Sequence, residues 1–388
     1  MTKENLVATA SPEITQSGGE GAASPSKNGV KRRSFLKGLG VAGAALSGGS
    51  LLTTAAEASQ RAGIITVGDV AILRFLAAAE ILETDLWQQY NELGGIQDSE
   101  VPGGSGSPAY TAAISFLDGD MAQYIHDNTE DEMTHEVFIN AYLVSKGAEP
   151  VSLDQFRTLP SSQATGAQQI GRLTNLMQLS VDTTWWTRYR SRTGNPDLGD
   201  VFPQAIPTLA VGQHTAIPRT DEDLKSANFL QAIANTAGFH FATIEQGGSS
   251  LYPKVAQRVT SLEVLRIVLS IGGTEIMHFQ TWSDKAGNYK RLHAIADPVT
   301  GVSVTFKELN SPPFGGEDFQ TNLIMPEPTA FINRKLPPVS IIRPTQTKGA
   351  AMGALNALTA DGLFIGQSKE FFSFMRTLAI EADLAVRE

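Results

Sequence analysis

Glu-x-x-His occurs twice in this chain, as Glu132-Met133-Thr134-His135 and as Glu275-Ile276-Met277-His278. Residues three apart on a helix point the same way, so each motif projects a carboxylate and an imidazole from one helical face. Each motif follows a segment of helical periodicity that carries a glutamate on its apolar stripe, Glu80 before the first and Glu245 before the second. A carboxylate in the middle of such a stripe is costly to bury unless a positive charge offsets it. The order Glu, Glu-x-x-His, Glu, Glu-x-x-His is the ligand arrangement of a dinuclear metal site inside a four-helix bundle. Chance is a poor source of the doublet: 22 glutamates and 6 histidines in 388 residues give about 0.3 such spacings.

Four segments carry these residues. The first spans about 66–93, with Thr66 and Asp69 at capping-box spacing and a stripe of Leu73, Leu76, Glu80, Glu83, Trp87 and Tyr90. The second spans about 108–146. It opens at Ser107-Pro108, stops at Lys146-Gly147, and aligns Asn128, Glu132, His135 and Ile139. Asp118-Gly119-Asp120 is a place for a kink, and Glu130, Asp131 and Glu136 fall off the stripe and read as solvated. The third, about 226–252, puts Phe241, Glu245, Gly248 and Tyr252 on one face and is expected to end at Pro253. The fourth, about 261–286, starts around Thr260 with Glu263 at capping-box spacing, and aligns Ile271, Glu275, His278 and Trp282.

Glu80 is followed seven residues later by Trp87, and Glu245 seven later by Tyr252. The chain therefore reads as two similar helical hairpins, each furnishing half of the donors. Trp87, Tyr252 and Trp282 read as core packing beside the site, and His240 as a core-edge histidine. His126, His214 and His293 lie outside the pattern.

An antiparallel bundle of this kind needs a long crossover between its second and third helices. Here the crossover is enlarged, 147–225, and a helix is expected from Ala167 to Arg190 on the strength of Leu173, Leu176, Leu179, Trp185 and Tyr189. After Gly287 the chain is Pro-rich through Pro344, and two short helical patterns close it, near Lys348–Thr359 and Ser368–Val386. The expected architecture is all-α: a bundle domain over 59–287 and an extension, 288–388, packed on it.

The formal net charge of −10 argues against a nucleic-acid partner, because phosphate binding needs a basic face. The absence of cysteine excludes disulfides, zinc–thiolate sites, iron–sulfur clusters and thiol catalysis. A metal here must be held by histidine and carboxylate, which suits iron or manganese.

Ahead of the bundle, Lys31-Arg32-Arg33-Ser34-Phe35-Leu36-Lys37 is similar to the twin-arginine export motif. A weakly apolar stretch, Gly38–Ala56, leads to Ala56-Glu57-Ala58, a small-x-small cleavage pattern. The expectation is a cleaved signal over 1–58, a mature chain from Ser59, and the twin-arginine translocase as a transient partner. The mature protein would then reside in the periplasm or outside the cell. No later stretch reaches the roughly 18 apolar residues of a membrane span.

At its ligand-bearing residues the chain resembles the ferritin-like superfamily, and within it the exported branch that includes desiccation-related proteins. Ala79-Glu80-Ile81-Leu82-Glu83, with the aromatic Trp87, is similar to that branch's first helix. The resemblance covers about 66–146 and 226–287. It implies a four-helix bundle in which Glu132 and Glu275 bridge two metals, with Glu80 and His135, and Glu245 and His278, as terminal ligands. Glu83, one turn from Glu80, is placed to orient a ligand. The cofactor implied is two iron ions, with two manganese ions as the alternative.

Three functions follow from the resemblance. One is a di-iron oxidoreductase acting with dioxygen, peroxide or ferrous iron. The others are manganese-catalase-type disproportionation of peroxide and a non-catalytic role in envelope or desiccation protection. The large insert and long tail depart from storage ferritins and argue against cage assembly.

Overall fold

A computed structural model describes residues 65–309, 311, 324–345 and 349–388. The expected twin-arginine signal, 1–58, lies outside the described residues. Helix α1 is Val67–Gly94, and Thr66 caps it by accepting from Asp69 N at 3.0 Å. The capping box stops there. The Asp69 carboxylate crosses instead to accept from Thr260 N and Ser261 N, at 2.8 and 3.0 Å, so one helix start secures another.

The single helix expected over 108–146 is two helices, α2 (Pro108–Ile114) and α3 (Met121–Ser145). Between them the Asp118 carboxylate accepts from Asp120 N at 2.9 Å, a local bond that competes with helical pairing. The Leu117 carbonyl freed by the break accepts from Asn288 Nδ2 at 2.8 Å.

The helix expected from Ala167 to Arg190 shrinks to α4, Thr184–Tyr189. Upstream, Leu173 N and Thr174 N donate to Asp85 Oδ2 of α1 at 3.0 and 2.9 Å, and Arg157 Nη1 meets Asp85 Oδ1 at 2.7 Å. Amides satisfied by a distant carboxylate need no helix, and Leu173, Leu176 and Leu179 are still buried.

Helix α5 is Ala227–Ala256, capped by Ser226. Pro253 lies inside it rather than ending it. Proline removes its own amide bond and crowds the carbonyl one turn back, but the turn that follows buries Val255 and Ala256. Helix α6 is Leu262–Gly287, capped by Ser261 and not Thr260. Glu263 turns away from the cap to accept from Tyr142 OH at 3.0 Å and Lys146 Nζ at 2.6 Å.

Helix α1 packs along α3, and α5 along α6. The two pairs meet through stacked aromatics: Trp87 lies 4.9 Å from Phe241 and 5.1 Å from Trp282, ring centre to ring centre. After α6 the chain adds a small antiparallel hairpin, β1 (Leu292–Ala296) and β2 (Ser303–Phe306), that the sequence did not announce. Two helices close it, α7 (Ala350–Ala360) and α8 (Lys369–Leu384). Helix α8 packs on α1, and α7 on both α5 and α8. Asp383 of α8 accepts from Ala351 N and Met352 N at 3.1 and 2.9 Å, supplying the cap that Gly349 cannot. No described helix is long and apolar enough to cross a membrane.

Candidate metal centre

Glu80 comes from α1, Glu132 and His135 from α3, Glu245 from α5, and Glu275 and His278 from α6. The fold brings the six together in two groups. Glu80, Glu132, His135 and Glu275 offer atoms within 4.8 Å of one another, and so do Glu132, Glu245, Glu275 and His278. Glu132 and Glu275 belong to both. His135 Nδ1 lies 3.0 Å from Glu132, 3.4 Å from Glu80 and 3.5 Å from Glu275. His278 Nδ1 lies 3.1 Å from Glu132 and 3.2 Å from Glu245. All four carboxylates are buried, at 1% exposure or less.

Several side chains that sequence reasoning had left out hold these six in place. Asn128 Nδ2 donates to Glu132 Oε1 at 2.9 Å and to Glu245 Oε1 at 3.0 Å. Trp282 Nε1 fixes the Asn128 amide by donating to its Oδ1 at 2.7 Å. Tyr252, expected as core packing, donates its hydroxyl to Glu80 Oε1. Asp131, read as solvated, is half-exposed and sits 3.0 Å from His278 Nε2, which turns the other ring nitrogen inward. Glu130 is also buried rather than solvated, and Glu136 is only partly exposed, its carboxyl raised by burial.

Signals for two of these existed. Asn128 is a polar residue on an apolar stripe one turn before Glu132, and Tyr252 stands two turns after Glu245. Asp131 had none, because it falls off the apolar stripe.

Gly248 faces Glu275 so closely that a Cβ there would stand 2.0 Å from Glu275 Oε2. Glu83 lies beside the centre, and its Oε1 is buried without a partner. His240 is fully inside the core rather than at its edge, 2.7 Å from Tyr90 OH, and burial lowers its pKa to about 3. His126 sits in a separate group with Asp98, Glu100, Asp127 and Glu130; its ring nitrogens lie 3.2 Å from Asp98 and from Asp127.

The electrostatics are those of a buried acidic cluster. Burial raises Glu80 to about 7 despite His135, and lifts Glu83, Glu245 and Glu275 as well. Burial also opposes charge on Glu132, but hydrogen bonds from both histidines outweigh it and hold that carboxyl below the usual range. His135 rises to about 11 because Glu132 and Glu80 overcome the burial of its imidazolium, and His278 rises too.

Without other cations, then, the centre carries protons and imidazolium charge. Even so, both oxygens of Glu275 and Oε2 of Glu80 are buried without a hydrogen-bond partner. Native interiors seldom leave such atoms bare. The donor set is hard oxygen and imidazole nitrogen, and two divalent cations would neutralise its four carboxylates. These residues fit a pair of such ions.

The ferritin-like domain family matches residues 68–287, more than half of the chain. That range begins in α1 and ends at the last residue of α6, so it takes in all six donors. No curated protein and no solved structure matches.

Proposed function

The chain belongs to the ferritin-like domain family, and from that premise we propose that it is an exported di-iron carboxylate protein acting with dioxygen or peroxide, in the manner of a ferroxidase. The observation that carries this reading is the buried set of four carboxylates and two histidines, drawn from four helices, with orphaned oxygens on Glu275 and Glu80. Glu132 and Glu275 would bridge, Glu80 and His135 would complete one position, and Glu245 and His278 the other. Bound there, the metal pair would supply two electrons together to dioxygen or peroxide.

The chain's own residues do the positioning. Tyr252 keeps its proton against Glu80 Oε1 and so leaves Oε2 facing His135. Asn128 donates to one oxygen each of Glu132 and Glu245, which fixes the rotation of both carboxylates. Asp131 holds His278 by its outer nitrogen. Trp87, Phe241 and Trp282 stack into one apolar aromatic wall across the two helix pairs. The export half of the proposal rests on Arg32 and Arg33 in a twin-arginine context, with the mature chain starting near Ser59.

The test is metal analysis of protein purified from its native envelope, followed by ferroxidase and peroxide assays. Two irons per chain, lost when His135 and His278 are both replaced by Ala, are expected. A manganese form that disproportionates peroxide would favour the catalase-type reading, which the same hard donors support. Protein that holds neither metal above background, and melts identically with chelator, would leave only the protective role.

A further inference from the structure

A cavity of about 310 Å³ opens beside the centre, walled by α1, α5 and the C-terminal helix α7. Glu80, Glu83 and Tyr252 line it where it reaches the donors. Elsewhere the wall is mainly apolar, with Leu82, Leu86, Ile244, Leu251, Leu355 and Leu358. That volume falls in the range of small-organic-molecule sites. Dioxygen or peroxide needs far less room, and an apolar wall is a poor path for a hydrated cation.

Lys254 lies in the same wall. It is only 8% exposed, and its Nζ has no hydrogen-bond partner. Burial holds its ammonium down to about 8, against the attraction of Asp197 and with the repulsion of Arg188. Arg188 is itself 1% exposed, with Nε and Nη2 unpartnered. Buried donors without acceptors are uncommon, and Lys254 Nζ, on the cavity wall and beyond hydrogen-bond reach of any carboxylate, is placed to meet an anion in the cavity.

The cavity's remaining carboxyls do not fill that role. Asp182 is engaged by Thr184 and Gln204, and Asp361 is pushed up to about 8 by burial and by Asp182, so near neutrality it is largely uncharged.

We propose that this cavity binds an organic monoanion with an apolar body, a medium-chain carboxylate by class, whose head pairs with Lys254 and whose body lies along the leucine wall toward Glu80 and Tyr252. The ligand's place beside a metal pair rests on the function proposed above; its binding does not. The C-terminal extension is then part of the site, because α7 supplies Leu355, Leu358 and Ala354 to the wall.

Calorimetric titration of the purified chain with decanoate, decanol and decylamine tests this, on both chelated and metal-loaded protein. Decanoate should bind at one site, at least tenfold tighter than either other probe. Lys254→Met should remove that preference while leaving decanol unchanged, and Ala354→Phe, which fills the wall, should weaken every probe. Decanoate binding no better than decanol, or unaffected by either substitution, would overturn the proposal. Protein that takes decanoate but, offered iron or manganese, never takes metal would sink the di-metal reading and keep this one. Protein that loads two metals and ignores decanoate would do the reverse.

Discussion

An added Cβ at Gly248 would stand 2.0 Å from Glu275 Oε2, whereas one at the neighbouring Gly247 would meet nothing within 4 Å. Both glycines sit inside α5, where alanine is intrinsically favoured by about 0.5–1 kcal/mol. Gly247→Ala should therefore raise stability by about that amount and leave metal binding alone. Gly248→Ala should push the Glu275 carboxylate aside and weaken binding of two metals by at least about tenfold, since a donor shared by both groups must be held tightly. Denaturant melts and metal titrations of the two variants, side by side, check both.

The convergence of the six donors was legible because a three-residue spacing has one meaning on a helix. What holds the donors was less so. Tyr252 and Asn128 lay on the correct stripes, but nothing in the chain says that a stripe residue will find a carboxylate across the bundle. Asp131 depends on the relative rotation of α3 and α6, which no local pattern encodes.

Among the elements, the long helices were readable by period and cap, and three of the departures share a cause. Where a carboxylate, near or distant, satisfied backbone amides, local pattern stopped predicting local structure. Asp69 fixes the entry to α6, Asp118 breaks 108–146 into α2 and α3, and Asp85 holds 173–174 out of a helix. Asp85 can be tested directly. It is fully buried and binds Leu173 N, Thr174 N, Thr174 Oγ1, Gln89 and Arg157. Asp85→Ala would strand buried donors and the Arg157 charge, so a loss of about 3–5 kcal/mol is expected in equilibrium unfolding. Hydrogen exchange should show protection lost first near 157–174; even protection there would contradict the account.

At the scale of the whole molecule, the acidic core ties stability to pH and metal. Glu80, raised from an ordinary 4.5 to about 7, favours the chelated fold fully below about 4.5, and that contribution is lost as pH rises through 7. Glu83, Glu245 and Glu275 are raised and act in the same sense. His135, raised to about 11, keeps its contribution below about 6.5 and loses it toward 11, so it does not reverse the trend. Glu132 is lowered, so its contribution is complete above about 4.5 and is lost as pH falls below that, outside this window. The melting temperature of chelated protein should thus fall by several degrees between about pH 5 and 8, and loaded protein should resist that fall, as scanning calorimetry would show.

The two hairpins repeat each other in helices and donors, but their fittings do not match. Tyr252 leans on Glu80, while Asp131 backs His278. A carboxylate behind an imidazole makes it a stronger base and a firmer ligand, and its loss typically costs about 10–100-fold in metal affinity. Unequal halves fill unequally. A titration should resolve a tight first equivalent at the His278 side and a looser second at the His135 side, with Asp131→Asn drawing the two steps together. One wild-type step of stoichiometry two would refute the asymmetry. If the steps separate, a scarce metal leaves most chains holding a single ion, and the protein then reports metal supply by how many of its chains are complete.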